Sequence, residues 1–479
     1  MAARYVRAMT DSPILLWMRR DLRLADNPML AEAARTGRPL IPVFVMDAAA
    51  ANTGAAPLWR WGLSLEQFDK DLRAIGSRMT FRRGPLPEAL SEVAKEIGAG
   101  AVWFSRLYGG DAQEAEERVR DRLDADGLEV RRFSGHLLFE PEEVSTGTGG
   151  FYKVYTPFWK NVGVRDVPRP EPAPTSLRGV NHWPASDDLP DWDVGAGMRR
   201  GATVVARHVC VGEQAALERL DRFMEERVEA YAKARDTLPI DGTSGLSENL
   251  TYGEIGPRTV WHAGKAALYE GRGDETFLKE LVWRDYAHHL LHHTPHMTSE
   301  SWRPEWKSFP WKDGGEEAEL WKKGRTGMDV VDAAMREMYV TGTMHNRGRL
   351  IVASYLTKHL MTHWTVGEAW FRDCLIDWDV ANNALNWQWV AGSGPDASPF
   401  FRVFNPEGQA EKFDRKGEYR CRWIAEGQER PGKLALSYFE AIPESWDLSP
   451  TDPYPAPIVS ASEGRERALS AYKAWREAS

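Results

Sequence analysis

LIPVFVMD (40–47) followed by PLWRWGLSLEQFDKDLRAI (57–75) is the stretch that decides the fold. An unbroken apolar run of strand length gives way to a segment with apolar residues three and four apart. That is the pattern of a buried strand leading into an amphipathic helix. The same alternation recurs on both sides. ILLWM (14–18) precedes NPMLAEAAR (27–35), MTFRRG (79–84) precedes LPEALSEVAKEI (86–97), AVWFSR (101–106) precedes DAQEAEERVRDRLDAD (111–126), and LEVRRF (128–133) closes the series. Five strand-like runs separated by helices predict an α/β domain over 11–140, a parallel, doubly wound, Rossmann-like sheet. No GxGxxG follows the first run; RRDLRLADNP (19–28) stands there, with Asn27-Pro28 suited to starting a helix.

Between 141 and 210 the chain carries Pro141, Pro157, Pro168, Pro170, Pro172, Pro174, Pro184 and Pro190 among Gly and Ser. Such density predicts a long connector that wraps over the surface. From 211 to 479 the periodicity is helical, as in EQAALERLDRFMEERVEAYAKAR (213–235), TGMDVVDAAMREMYV (326–340) and RGRLIVASYLTKHLM (347–361). An all-α second domain is expected there.

The chain has 479 residues, 42% of them hydrophobic, and a net charge of −9, enough to bury a large core. That charge excludes a uniformly basic coat and leaves open a local basic face for nucleic acid. The N-terminal apolar run is too short for a signal peptide or a membrane span. Cys210, Cys374 and Cys421 lie far apart without CxxC spacing, so neither a disulfide framework nor a four-cysteine metal site is expected. A reducing cytoplasm follows as the expected location, with no membrane partner. In HHLLHH (288–293) the histidines repeat four residues apart, but no HExxH acid accompanies them, and no metal site is expected. The 21 tryptophans, taken one by one, read as core.

Several stretches in order give a sharper reading: WMRRDLRLADNP (17–28), DGTSGLSENL (241–250), KELVWRDY (279–286), GRTGMDVVDAAMREMYVTGTMHNRGRL (324–350), DWDVANNALNWQW (377–389) and FRVFNPEGQAEKFD (401–414). Together they resemble the DNA photolyase and cryptochrome family. By itself the turn Thr243, Ser244, Gly245, Leu246, Ser247 offers hydroxyls and N–H groups that suit a helix cap or a pyrophosphate. The resemblance implies the pyrophosphate of an FAD. It also implies that Tyr231, Glu280, Arg284 and Asn346 contact the cofactor, that Arg349 and Asp377 form an ion pair against the flavin face with Asp379 at its edge, and that Asn383 faces flavin N5. A neutral amide at N5 lets the reduced anionic flavin persist, which favours a repair enzyme over a light receptor.

Trp387, Trp364 and Trp311 match the family's electron-transfer chain from flavin to surface, leaving Trp378 and Trp389 as packing. Trp283 matches the aromatic wall for a flipped pyrimidine dimer, and Glu280, three residues earlier on the same helix face, the group at the pyrimidine edges. Arg235, Arg284, Arg347 and Arg402 are candidates for phosphates of UV-damaged DNA, with Lys412, Arg415 and Lys416 further out. His345-Asn346 replaces the histidine pair of enzymes that repair (6-4) photoproducts. Together with Glu280, where those enzymes usually carry glutamine, it points to cyclobutane dimers. Leu350 stands where relatives often carry methionine, a swap of similar volume.

The implied activity is therefore that of a monomeric, blue-light-driven lyase. Its alternatives are a cryptochrome, a (6-4) enzyme or a flavoprotein that works in the dark. A second, antenna chromophore of folate or deazaflavin type is also expected, although Gly109 and Thr298-Ser299 depart from the folate-binding pattern.

Overall fold

The computed structural model describes residues 11–478. All five strand-like runs are strands: β1 Ile14–Trp17, β2 Leu40–Met46, β3 Thr80–Arg83, β4 Ala101–Ser105 and β5 Glu129–Phe133. They pair in parallel in the order β3-β2-β1-β4-β5. Successive side chains of a strand point to opposite faces, and both faces are covered. Ile14, Leu16, Phe44 and Trp103 enter one apolar layer; Leu15, Trp17, Val43, Val45, Val102 and Phe104 enter the other. Burial on both sides explains why β1, β2 and β4 read as continuously apolar, whereas the edge strands β3 and β5 carry arginines and are partly exposed. Asn27 starts the helix Pro28–Arg35, its side chain accepting from the Leu30 N–H at 3.1 Å.

The strand order reverses at β1, which lies between β2 and β4, and such a switch point opens a crevice at the strands' carboxyl ends. Here the chain fills it with its own groups. Arg19 stacks 4.0 Å over the Trp17 ring and pairs with buried Glu116 at 2.7 Å.

The connector is more than a surface wrap. Its segment Tyr155–Val162 is helical, and Tyr155, Phe158 and Val162 are buried in a helical core with Tyr286, Leu290 and Trp261. The Tyr155 ring lies flat on Trp283, centroids 3.8 Å apart at 10°, while its hydroxyl donates to the Lys279 carbonyl at 2.6 Å. Proline density correctly signalled irregular backbone on either side, but three large apolar residues on one face of two turns outweigh it.

Beyond residue 211 the described residues form helices around two large apolar clusters and a smaller one that holds Trp306, Phe309 and Phe400. The sheet and the helices are joined by a buried ion network. Arg60, wholly buried on helix Ala55–Ala74, bridges both oxygens of Glu254 (2.7 and 3.0 Å) and reaches Glu248 at 3.2 Å. Arg219 pairs with Glu248 at 2.5 Å and donates to the Gly245 carbonyl at 2.6 Å. Removing one partner of such a network strands the others without compensation, at about 3–5 kcal/mol. Arg60→Met is therefore expected to lower unfolding stability by about that amount and to loosen the turn at 243–247. Urea unfolding of the variant, followed by tryptophan fluorescence, checks the first effect, and retention of FAD on desalting checks the second.

Candidate cofactor and DNA site

Helix Val380–Ala391 begins at Asp379, whose Oδ1 accepts from the Asn382 N–H at 2.8 Å while Oδ2 meets His288 Nε2 at 3.1 Å. One turn on, buried Asn383 donates its Nδ2 to the Glu368 carbonyl (3.2 Å) and to Glu368 Oε1 (3.0 Å). Two acceptors on one side fix which end of the amide is which, because only the NH₂ end can donate. Oδ1 is thereby turned away from Glu368. Glu368, which the sequence did not single out, has its pKa raised by burial.

Asp377 Oδ2 accepts from Arg349 Nη2 and from the Ser247 hydroxyl, both at 2.7 Å. Its Oδ1 is buried without a protein partner. A buried carboxylate oxygen left open costs free energy unless a ligand satisfies it, and here it lies beside the 243–247 turn. In that turn Gly245 takes φ +66°, a left-handed conformation that a side chain disfavours. Arg219 and Arg227 hold the carbonyls of Gly245 (2.6 Å) and Thr243 (3.5 Å), and Ser244 Oγ accepts from Leu246 N at 3.4 Å. Tyr231 is buried edge-on against Phe223 and Phe277. A turn whose shape is fixed by Arg219 and Arg227, together with an open acceptor on Asp377, suits a flavin dinucleotide.

The three candidate relay tryptophans run from core to surface. Trp387 and Trp364 are buried, and Trp311 is partly exposed. The Trp387 indole lies against Gly367, three residues after Trp364 on helix Trp364–Cys374; a Cβ there would come within 2.0 Å of Trp387 Cη2. Its ring neighbours are Phe371 at 4.9 Å and Trp321 at 6.1 Å. His363 stands between the other two, 5.6 Å from Trp364 and 5.1 Å from Trp311. Trp378 and Trp389 are partly buried against the large helical core.

On the DNA side, helix Thr276–His293 carries Glu280 and Trp283, both partly exposed. Glu280 forms a short ion pair with Arg235. Arg347 pairs with Asp236 at 2.8 Å and covers the Phe413 ring at 4.3 Å. Asn346 is exposed at the start of helix Asn346–Ser354, Leu350 lies one turn further, and His345 caps that helix by accepting from Arg347 N. Arg402, Lys412, Arg415 and Lys416 are exposed.

Arg284 corrects the expectation of a phosphate contact. Its side chain is 11% exposed and turned inward, donating to the His136 carbonyl (2.7 Å) and meeting His136 Nε2 (2.8 Å), so it is committed to the protein interior. The sequence places it beside Trp283, but neighbours in a helix point about 100° apart.

The histidine run disperses to separate partners. His289 Nε2 accepts from Tyr152 N, His292 meets Gln113, and His293 stacks on Phe151 at 4.7 Å. His288, His136 and Asp379 do converge, with ligand atoms within 4.8 Å of one another. The charges of Arg284 and Arg20 act on His136 there, a poor setting for a cation. Gly109 takes φ +104°, a conformation that a side chain disfavours, and a Cβ there would crowd Leu291 Cδ2 at 3.1 Å, so the acidic residue of the folate pattern would be strained at this position. Among the described residues no helix is long and apolar enough to cross a membrane.

Comparison with known proteins agrees with this geometry. Residues 14–175 match the family model for DNA photolyase, and residues 277–474 match that for the FAD binding domain of DNA photolyase. The chain is 40% identical over 476 residues to a deoxyribodipyrimidine photo-lyase of Agrobacterium fabrum, covering 98% of this chain and 99% of that one. It is 34% identical to the Synechococcus enzyme of the same name over 94% of both chains. A crystal structure of a bacterial class III photolyase from Agrobacterium tumefaciens superposes with a TM-score of 0.89 at 39% identity, covering 98% of each chain. A Sulfolobus tokodaii photolyase, described with two FAD molecules, gives 0.78 at 27% identity over 96% of this chain and 100% of that one. This chain belongs to the DNA photolyase family.

Proposed function

We propose that this chain is a deoxyribodipyrimidine photo-lyase that uses light to split cyclobutane pyrimidine dimers in DNA. One observation carries the reading. A line of ion pairs, Glu280–Arg235, Asp236–Arg347 and Arg349–Asp377, links the candidate lesion-binding helix to the candidate flavin-binding carboxylate. Each charge on that line is already paired, so the two halves of the site are held in register before any ligand arrives.

FAD, when bound and reduced, supplies a light-excited electron donor. The protein's part is to hold it and to present the lesion. Thr243–Ser247 would take the pyrophosphate, Arg349 with Asp377 the ring, and Asn383 Oδ1 the N5 edge. Glu280, steadied by Arg235, would meet the pyrimidine edges of a dimer stacked on Trp283, whose other face is backed by Tyr155. Asn346, Arg347, Leu350 and Arg402 would line the approach of the damaged strand. No nucleophile or general acid is required of the chain.

His345 bears on the lesion type. Burial, opposed by Asp236 and reinforced by the charges of Arg347, Arg349 and Arg235, depresses its pKa to about 4, and its Nδ1 caps a helix. A neutral, committed imidazole beside Asn346 suits dimer splitting better than the acid chemistry of a histidine pair. We extend the proposal to a monomer in the cytoplasm, consistent with three free cysteines. We also include a second, light-harvesting chromophore, as the description of the Sulfolobus relative implies for that protein. Subtracting the flavin spectrum from that of the purified protein identifies this chromophore.

Repair itself is tested by incubating reduced protein with ultraviolet-irradiated oligothymidine, with and without blue light. Dimers should disappear only in the light; persistence under illumination would sink the proposal. Two variants separate its parts. Gly367→Ala forces the Trp387 indole out of place and is expected to slow photoreduction of oxidised flavin at least several-fold, as Trp387→Phe should, while chemically reduced protein still repairs. Arg235→Met frees Glu280 and is expected to weaken binding of dimer-containing DNA on the order of tenfold, about 1.4 kcal/mol, with flavin retention unchanged. Stopped illumination spectroscopy reads the first outcome and fluorescence anisotropy the second.

A further inference from the structure

Lys358 has no part in the roles above. It is 1% exposed within the π-helical turn Tyr355–His359, where the Leu360 N–H reaches back to the Tyr355 carbonyl at 3.0 Å. Its Nζ donates to the backbone carbonyl of Arg402 at 2.9 Å and lies 5.5 Å over the Phe400 ring. The charge that acts on it is that of Arg402, of like sign; burial first and then that charge lower its pKa to about 7. Taking an ammonium out of water in exchange for a carbonyl and a ring is costly. Packing alone would be served better by methionine. π-Helical turns, for their part, occur frequently at functional sites.

What Lys358 holds is the backbone of an exposed segment. Two residues beyond Arg402, the Phe404 N–H donates to the hydroxyl of buried Ser354 at 3.3 Å, one residue before the π turn. Before Arg402, Phe400 is buried among Trp306 and Phe309. Between these anchors Phe401 is 61% exposed and Arg402 is exposed.

We propose that Lys358 is a positioning residue for DNA binding: by fixing the Arg402 carbonyl it sets the direction in which the Arg402 guanidinium meets a backbone phosphate of the damaged strand. Its charge adds to the field that draws that phosphate. The proposal rests on the DNA-repair reading above and on Arg402 as a phosphate contact.

The test is a double-mutant cycle on the full-length, FAD-loaded protein, with Lys358→Met, Arg402→Ala and both together. Kd for a duplex carrying one thymine dimer is measured in the dark by anisotropy at several salt concentrations, with the thermal midpoint alongside. Arg402→Ala should weaken binding and reduce the salt slope by about one phosphate. Lys358→Met should weaken binding about tenfold, in the range of a charged hydrogen bond, and add little on top of Arg402→Ala. Its thermal midpoint should hold or rise, since a buried charge is gone. Lys358→Gln, which keeps a donor, should recover much of the affinity. Unchanged affinity in Lys358→Met, or a loss that adds in full to Arg402→Ala, would overturn the role of Lys358. A silent Arg402→Ala would instead overturn Arg402 as the phosphate contact, and the proposal with it. Where methionine is not tolerated, Lys358→Ala enters the same cycle.

Discussion

The structure depends first on a buried guanidinium. Arg60 belongs to the sheet half of the chain, yet its partner Glu248 lies in the first turn of the short helix Ser247–Tyr252 that follows the candidate phosphate turn, and Glu254 lies just past its end. Two carboxylates against Arg60 and Arg219 balance in charge, and none of the four can leave alone without stranding the rest. The two architectures are therefore more than neighbours. The sheet supplies one of the fixed points from which the candidate phosphate turn is hung, and Tyr252 repeats the arrangement, its hydroxyl donating to the Ile376 carbonyl at 2.7 Å and lying 3.0 Å from that of Pro57. Gly253 allows the closeness, since a Cβ there would overlap the Arg20 backbone.

The same logic of prior pairing runs through the site. Asp379 caps its helix, Asn383 has its amide oriented by Glu368, and Asp377 is held by Arg349 and Ser247. Asp377 keeps its Oδ1 without a protein partner, whereas Asp379 commits both oxygens to the chain, to Asn382 and to His288. Binding then costs little reorganisation, the general advantage of a preorganised site.

Much of this was legible in the residues. The three central strands were, because burial on both faces leaves no polar alternation to confuse them, the edge strands were by their place in the strand–helix alternation, and Asn27-Pro28 was because a cap needs only local chemistry. Motif order carried Arg349, Asp377 and Asn383. What could not be read was whatever depends on a partner distant in sequence. Glu368 looks like any half-buried carboxylate until Asn383 arrives beside it. Arg284 looked like a rim charge because periodicity gives a face but not what covers that face. Tyr155 hid among prolines, where aromatic burial overrode the backbone signal. The tryptophans were each ambiguous for the same reason: only Gly367, a missing side chain, records that an indole passes close by.

The helix Tyr155–Val162 has a consequence for dissecting the molecule. A fragment begun at the end of the proline-rich stretch would omit Phe158 and uncover Tyr286, His289 and one face of Trp283, all of which rest on that helix. An autonomous helical unit would have to start ahead of Phe139, which sits in the same cluster. The natural seam of the protein is thus offset from its compositional seam, and any split or swapped version should be cut by what packs together rather than by where the prolines stop.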